Sequence, residues 1–204
     1  MSTQTVLQPD TPIIFGQNGW PLQGQWKYED YLHLPDDGRR YEIIEGVLYS
    51  ANAISTEHQY AAFKIAFQLE LFIQQQGLGT IFTAPYEVHL SENSKPVQPD
   101  ILFVRSERMG YLGKQAFEGA PDLIVEVISP SSIRLDRTVK FDAYERYGVM
   151  EYWLVDPKAR LIEVYTWARG EYALFGQYTG DDIVMSKLLD GLQIKASLLF
   201  QPSA

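Results

Sequence analysis

Residues 122–129, DLIVEVIS, constrain this chain most. Their near-continuous Leu, Ile and Val run predicts a strand covered on both faces. Pro130-Ser131-Ser132 then opens a helical pattern over about Ile133 to Tyr147, ended by Gly148, and Glu151 to Asp156 reads as a strand stopped by Pro157. A strand, a helix and a strand in that order are long enough for a crossover between parallel strands. The fold class is therefore mixed α/β.

The flanking sequence fills in the order. Trp26 to Leu34 suits a short helix before Pro35, and Tyr41 to Ser50 a hairpin or bent strand around Glu45-Gly46. Ser55 or Thr56 can cap a helix whose apolar positions Ala62, Ile65, Ala66, Leu69, Phe72 and Ile73 recur at helical spacing, with Gly77 past its end. Thr80 to Leu90 and Val97 to Val104 read as further strands. Arg160 to Trp167 and Tyr172 to Tyr178 form a hairpin around Arg169-Gly170, and Leu188 to Ile194 one more short strand. Expected is a central mixed sheet flanked by helices, in the order α-β-β-β-α-β, with extra strands at both ends. Residues 1–25, rich in Pro and Gly, read as a tail, and 26–204 as one domain; a length of 204 residues suits a single full-sized core.

Composition excludes several chemistries. Without cysteine there is no disulfide framework, thiolate zinc site or thiol nucleophile. The first residues lack the pattern of a signal peptide, and no apolar run approaches the ~18 residues of a membrane span, so a cytoplasmic protein is expected. His33, His58 and His89 are scattered, and no phosphate-binding glycine loop or serine-nucleophile motif occurs. The formal charge of −9 argues against a simple non-specific nucleic-acid binder.

Acidic residues inside apolar strands are what stand out. Asp100 lies in PDILFV, and Glu126 between Val125 and Val127. Burying a carboxylate costs several kcal/mol unless a cation or hydrogen bonds compensate. Two such acids on neighbouring strands would form a hard, oxygen-lined site suited to Mg²⁺ or Mn²⁺. Strand parity puts Glu126 on the face of Ile124 and Ile128. Lys140, on the following helix, is the candidate to orient water or stabilise developing charge; a solvated lysine paired with Asp136 is an equally good reading of the spacing.

The segments RYEIIEG (40–46), STEHQ (55–59), QPDILFV (98–104), PDLIVEVISPSS (121–132) and KFDAYERYGVMEYWLVDP (140–157) resemble the bacterial Uma-two family, within the PD-(D/E)xK nuclease fold. The resemblance implies a restriction-endonuclease-like sheet and a divalent-metal endonuclease acting on phosphodiester bonds, with DNA the expected substrate. Asp100 and Glu126 match its acids. The usual lysine position two residues after the second acid holds Ile128, so the lysine role falls to Lys140. Glu42 matches an acidic position that serves as a further metal or water ligand, ahead of Glu45. His58 matches a position suited to substrate contact, and Tyr144 one more often used for packing. On this reading Asp100, Glu126, Lys140 and Glu42 are catalytic, and the three acids hold Mg²⁺ or Mn²⁺. Arg134, Arg137, Lys140 and Arg146 would focus positive potential beside them. A homodimer is expected, as is common for nucleases that cut two strands. The alternative is an interaction module that keeps the fold without turnover, with Tyr152, Trp153 and Trp167 on its partner surface.

Overall fold

The computed structural model describes residues 19–51 and 55–201; most of the expected tail lies outside them. The chain opens with a short helix α1 (Tyr28–Tyr31) and a hairpin of β1 (Arg40–Ile44) and β2 (Val47–Ala51). Glu45 and Gly46, at the turn, both have positive φ, as a tight two-residue hairpin requires. A Cβ on Gly46 would also meet the Gly24 carbonyl oxygen at 2.6 Å, so the close approach of that segment needs glycine. Trp20 stacks on Trp26, and both pack with Tyr41, Ile43 and Leu48 in a small core of their own.

Helix α2 (Thr56–Gln76) is capped by the Ser55 side chain, which accepts the His58 N–H, and ends at left-handed Gly77. Then come β3 (Gly79–Thr83), β4 (Glu87–His89), β5 (Ile101–Arg105), β6 (Ala116–Glu118) and β7 (Leu123–Val127). A π-helical segment, Leu135–Lys140, runs into α3 (Phe141–Tyr147), followed by β8 (Glu151–Asp156), β9 (Leu161–Ala168), β10 (Glu171–Thr179), β11 (Ile183–Met185) and β12 (Gln193–Lys195). The main sheet has the order β10-β9-β8-β7-β5-β3. Only β7 and β8 are parallel in it, joined by the helical crossover expected from the sequence.

The alternation of β7 divides its side chains between two cores. Leu123, Val125 and Val127 join α2 residues such as Ile65, Leu69 and Ile73 on one face. Ile124 and Ile128 join Ala143 and Tyr144 of α3 on the other. Along β5, Leu102 and Val104 share the α3-side core. Asp100 and Glu126 belong by parity to that same face. The β5–β7 register pairs Ile101 with Val125, so one step beyond it Asp100 falls opposite Glu126.

Several expectations are corrected. The strand expected over Thr80 to Leu90 is divided into β3 and β4 around Pro85, which has no N–H for a ladder. The strand expected from Val97 begins at Ile101; Val97 instead bridges Val88. Leu188 to Ile194 is not one strand, because β11 and β12 pair as a separate hairpin. The helix over 133–147 is π-helical in its first part. Tyr152 and Trp153 are fully buried in opposite cores, so they offer no partner surface. Trp167 is half-buried, its indole N–H bonded to the Glu145 carbonyl. Among the described residues, no helix is long and apolar enough to cross a membrane.

Candidate active site

Three acids converge on one buried lysine. Lys140 is only 4 % exposed. Its Nζ lies 2.9 Å from Glu126 Oε1, 3.1 Å from Glu42 Oε1 and 3.9 Å from Asp136 Oδ1. Each contributing element has a clear local reason. β7 projects Glu126 toward α3 by its two-residue period, and β1 projects Glu42 and Arg40 to one side by the same period. The helical segment brings Asp136, Lys140 and Tyr144 to successive turns of one face.

Asp100 is held differently. Its Oδ2 accepts the Val127 N–H at 2.9 Å and lies 3.1 Å from His58 Nε2, at the start of α2. Its Oδ1 is 3.7 Å from Arg40 Nη1. Glu42 Oε1 also accepts the Gln98 N–H at 2.6 Å. Glu126 Oε1 accepts from Lys140 and, at 2.7 Å, from the Tyr144 hydroxyl. Both bonds land on one oxygen, and among the described residues Glu126 Oε2 receives none. A cavity of about 50 Å³ is lined by all five expected site residues, with Arg40, Asp136 and Ser132 among the others. That volume holds roughly three or four waters.

The charges do not balance. Burial pushes the Glu126 carboxyl up to about 8, and Asp100, Asp136 and Glu42 push the same way against the opposing pull of Lys140. Asp136 is likewise raised to about 6, chiefly by burial. For Asp100, burial acts upward but is outweighed by the His58 hydrogen bond and charge, the Val127 N–H and Lys140, which hold it low. The Lys140 ammonium is stabilised further: burial opposes its charge, and Glu126, Glu42 and Asp136 more than offset that. Like charges directly opposite on neighbouring strands are destabilising. An additional cation among these oxygens would relieve them.

The donor set fits a hard divalent ion, offering carboxylate oxygens, a small polar cavity and no sulfur. Among the described residues, no three acidic or histidine side chains form a ready-made metal cage. Mg²⁺ does not require one, since it commonly takes one or two carboxylates and keeps waters or substrate phosphates for the rest.

The structure thus brings Asp100, Glu126, Lys140, Glu42 and His58 into one cleft. Glu45 lies elsewhere, bonded by Tyr147 and paired with Arg146. The expected cluster of basic helix residues is corrected. Arg137 pairs with Glu163 at 2.6 Å and Arg146 with Glu45 at 3.1 Å, and neither lines the cavity. Arg40 supplies the second cation of the site. It was missed as a site residue, although its spacing of two from Glu42 on a strand is the signal that finds it. The expected pairing of Lys140 with Asp136 is present at 3.9 Å, but the reading of a solvated lysine is corrected: Lys140 is buried with the acids, and Asp136 joins the site with it.

Comparison with known proteins completes the picture. The profile of the Uma2 family, described as "Putative restriction endonuclease", matches residues 28–197. The chain belongs to the Uma2 family. Every residue of the cleft falls inside the matched span. This Uma2 chain is 26 % identical over 138 residues to "Uncharacterized protein sll1609" of Synechocystis, covering 67 % of the chain and 77 % of that protein. Its fold is similar to a crystal structure from Anabaena variabilis described as "a putative nuclease belonging to DUF820". The TM-score is 0.70 at 21 % identity, over 85 % of this chain and 97 % of that one. The restriction-endonuclease-like mixed sheet expected from the sequence is thereby supported.

Proposed function

We infer that this Uma2 protein is a divalent-metal-dependent endonuclease that hydrolyses phosphodiester bonds, DNA before RNA. One observation carries the reading: Asp100, immediately before β5, falls opposite Glu126 on β7, with Lys140 Nζ 2.9 Å from Glu126 in the same cavity. Asp100 and Glu126 would hold Mg²⁺ or Mn²⁺, with Glu42 assisting through water. The ion would supply charge neutralisation at the scissile phosphate and a more acidic bound water. Lys140 holds a proton at all working pH and faces the position where negative charge develops. Glu42 and Asp136 keep that ammonium in place. His58, anchored on Asp100, lines both the cleft and the cavity beside it and would meet substrate there. In this reading the protein works in the cytoplasm.

The test is cleavage of plasmid and oligonucleotide substrates with and without Mg²⁺ or Mn²⁺. Metal-dependent cleavage that Asp100→Asn abolishes is the expected result; equal cleavage by that variant overturns the assignment. A second reading, an interaction module or homodimer without turnover, is favoured by the exposed stripe of Phe63, Phe67 and Leu71 on α2. Calorimetry that detects no divalent-ion binding would favour it.

A further inference from the structure

Beside the acid–lysine cavity lies a second and larger one, of about 330 Å³. The two share Arg40, His58 and Asp100 as lining residues, so they meet at the proposed point of cleavage. The second cavity is walled mainly by apolar groups, among them Phe63 of α2 and Pro85 of the β3–β4 connection, while Gln59 and Thr83 supply hydrogen-bonding groups. Its volume falls within the ~300–1,000 Å³ of small-molecule sites, which are apolar with a few placed polar groups. Phe63 is 65 % exposed, its ring stacked, among the described residues, only on the neighbouring Phe67 at 6.4 Å between centroids, so one ring face is open beside the cavity.

We propose that this cavity receives a nucleobase next to the scissile phosphate, so that the preferred substrate is a single strand or a locally unpaired nucleotide. The proposal rests on the nuclease reading and names its substrate class. Charge is the second argument. A chain of net charge −9, whose Arg137 and Arg146 are already paired with acids, gains little from tracking duplex phosphates. Single-strand binders draw affinity from bases stacked on aromatic rings, which is tolerant of sequence. Phe63 offers such a face, Arg40 guards the shared mouth for one phosphate, and Gln59 and Thr83 can meet a base edge. A base inside a duplex cannot reach a pocket walled by a helix unless it leaves the stack.

The experiment measures binding of a fluorescent oligothymidylate and of an equal-length duplex to the full chain in Ca²⁺. Cleavage of both is measured separately in Mg²⁺. The single strand is expected to bind about ten-fold tighter or better than the duplex. Phe63→Ala and Phe63→Leu are expected to weaken it by about ten-fold, within the range for loss of one stacked base, and Phe63→Tyr to retain it. Phe67→Ala, which removes the neighbouring exposed ring that does not line the cavity, is expected to leave binding unchanged. Equal binding of duplex and single strand, or full binding by Phe63→Ala, overturns the proposal. So does loss of binding that follows dissociation of a dimer in sedimentation by both Phe63→Ala and Phe67→Ala, which would give the stripe to a second copy of the chain. If cleavage persists while these binding results fail, the pocket is wrong and the nuclease reading stands. If the oligonucleotide binds but no substrate is cut, the nuclease reading is what fails.

Discussion

Two buried glutamates on adjacent parallel strands show how differently a protein can treat the same group. Glu151, at the start of β8, is fully buried. Its Oε1 accepts from the Trp153 indole at 2.8 Å and the Ser186 hydroxyl at 2.6 Å. Its Oε2 accepts the Lys187 and Leu188 N–H groups at 2.8 and 2.9 Å. Four neutral donors satisfy one carboxylate, and it ties the loop before β12 to the main sheet. Glu126, on β7, is just as buried but has three acidic neighbours, a lysine and a cavity. Burial therefore does not mark function in this fold. What separates the two is unbalanced charge beside open space, since a saturated carboxylate has nothing left to offer a ligand.

The largest expected effect that sharpens this contrast is on turnover. Glu126→Gln should lower metal-dependent cleavage by at least about a hundred-fold, the scale for removing one transition-state electrostatic contact, while the melting temperature stays near that of wild type. Glu151→Ala should do the reverse. It orphans four donors, two of them fully buried, and should cost about 3–5 kcal/mol of stability in denaturant unfolding, with activity per folded molecule retained. If the two variants behave alike, the contrast is broken.

Lys140→Met is expected to be intermediate, leaving Glu42, Glu126 and Asp136 without their shared cation. A loss of about 3 kcal/mol in chemical denaturation, partly restored by millimolar Mg²⁺, is the predicted result. Restoration in Glu151→Ala as well would show the effect to be unspecific.

Smallest is the pH effect. Glu126 has its folded pKa raised to about 8 from 4.5. Its neutral form is favoured in the fold, so its contribution is present below about pH 4.5 and is lost as pH rises toward 8. Metal-free protein should lose part of its stability across that window. Mg²⁺ affinity should climb over the same range, by up to about ten-fold per pH unit, because the ion must displace the proton. Thermal melts with and without Mg²⁺ at several pH values read both trends, and a flat Mg²⁺-induced shift contradicts them.

Much of this architecture is legible in the sequence. The β7–helix–β8 crossover follows from the apolar run and its Gly and Pro boundaries, and the hairpins follow from their turn residues. Strand parity alone groups Glu126 with Ile124 and Ile128, and the structure shows that this face is the one α3 covers. The misses have physical causes. β6 is three residues long and pairs with equally short β4, too little for a periodic signal. The π-helical segment breaks the 3.6-residue period on which the helix reading relied. The two-residue spacing of Arg40 from Glu42 puts both on one strand face, but that this face reaches Asp100 is a tertiary contact the spacing does not carry. The sequence does not show that Arg137 and Arg146 turn away from the acids, because their partners Glu163 and Glu45 are distant along the chain.

The central claim is that the Asp100–Glu126 cleft, and not burial of acids in general, holds a divalent ion. Calorimetric titration of Mg²⁺ at about pH 8 into wild type, Asp100→Asn and Glu151→Gln tests it most directly. One binding event in wild type and Glu151→Gln, absent in Asp100→Asn, is the predicted result. Binding that survives Asp100→Asn unchanged, or no binding in wild type, contradicts it.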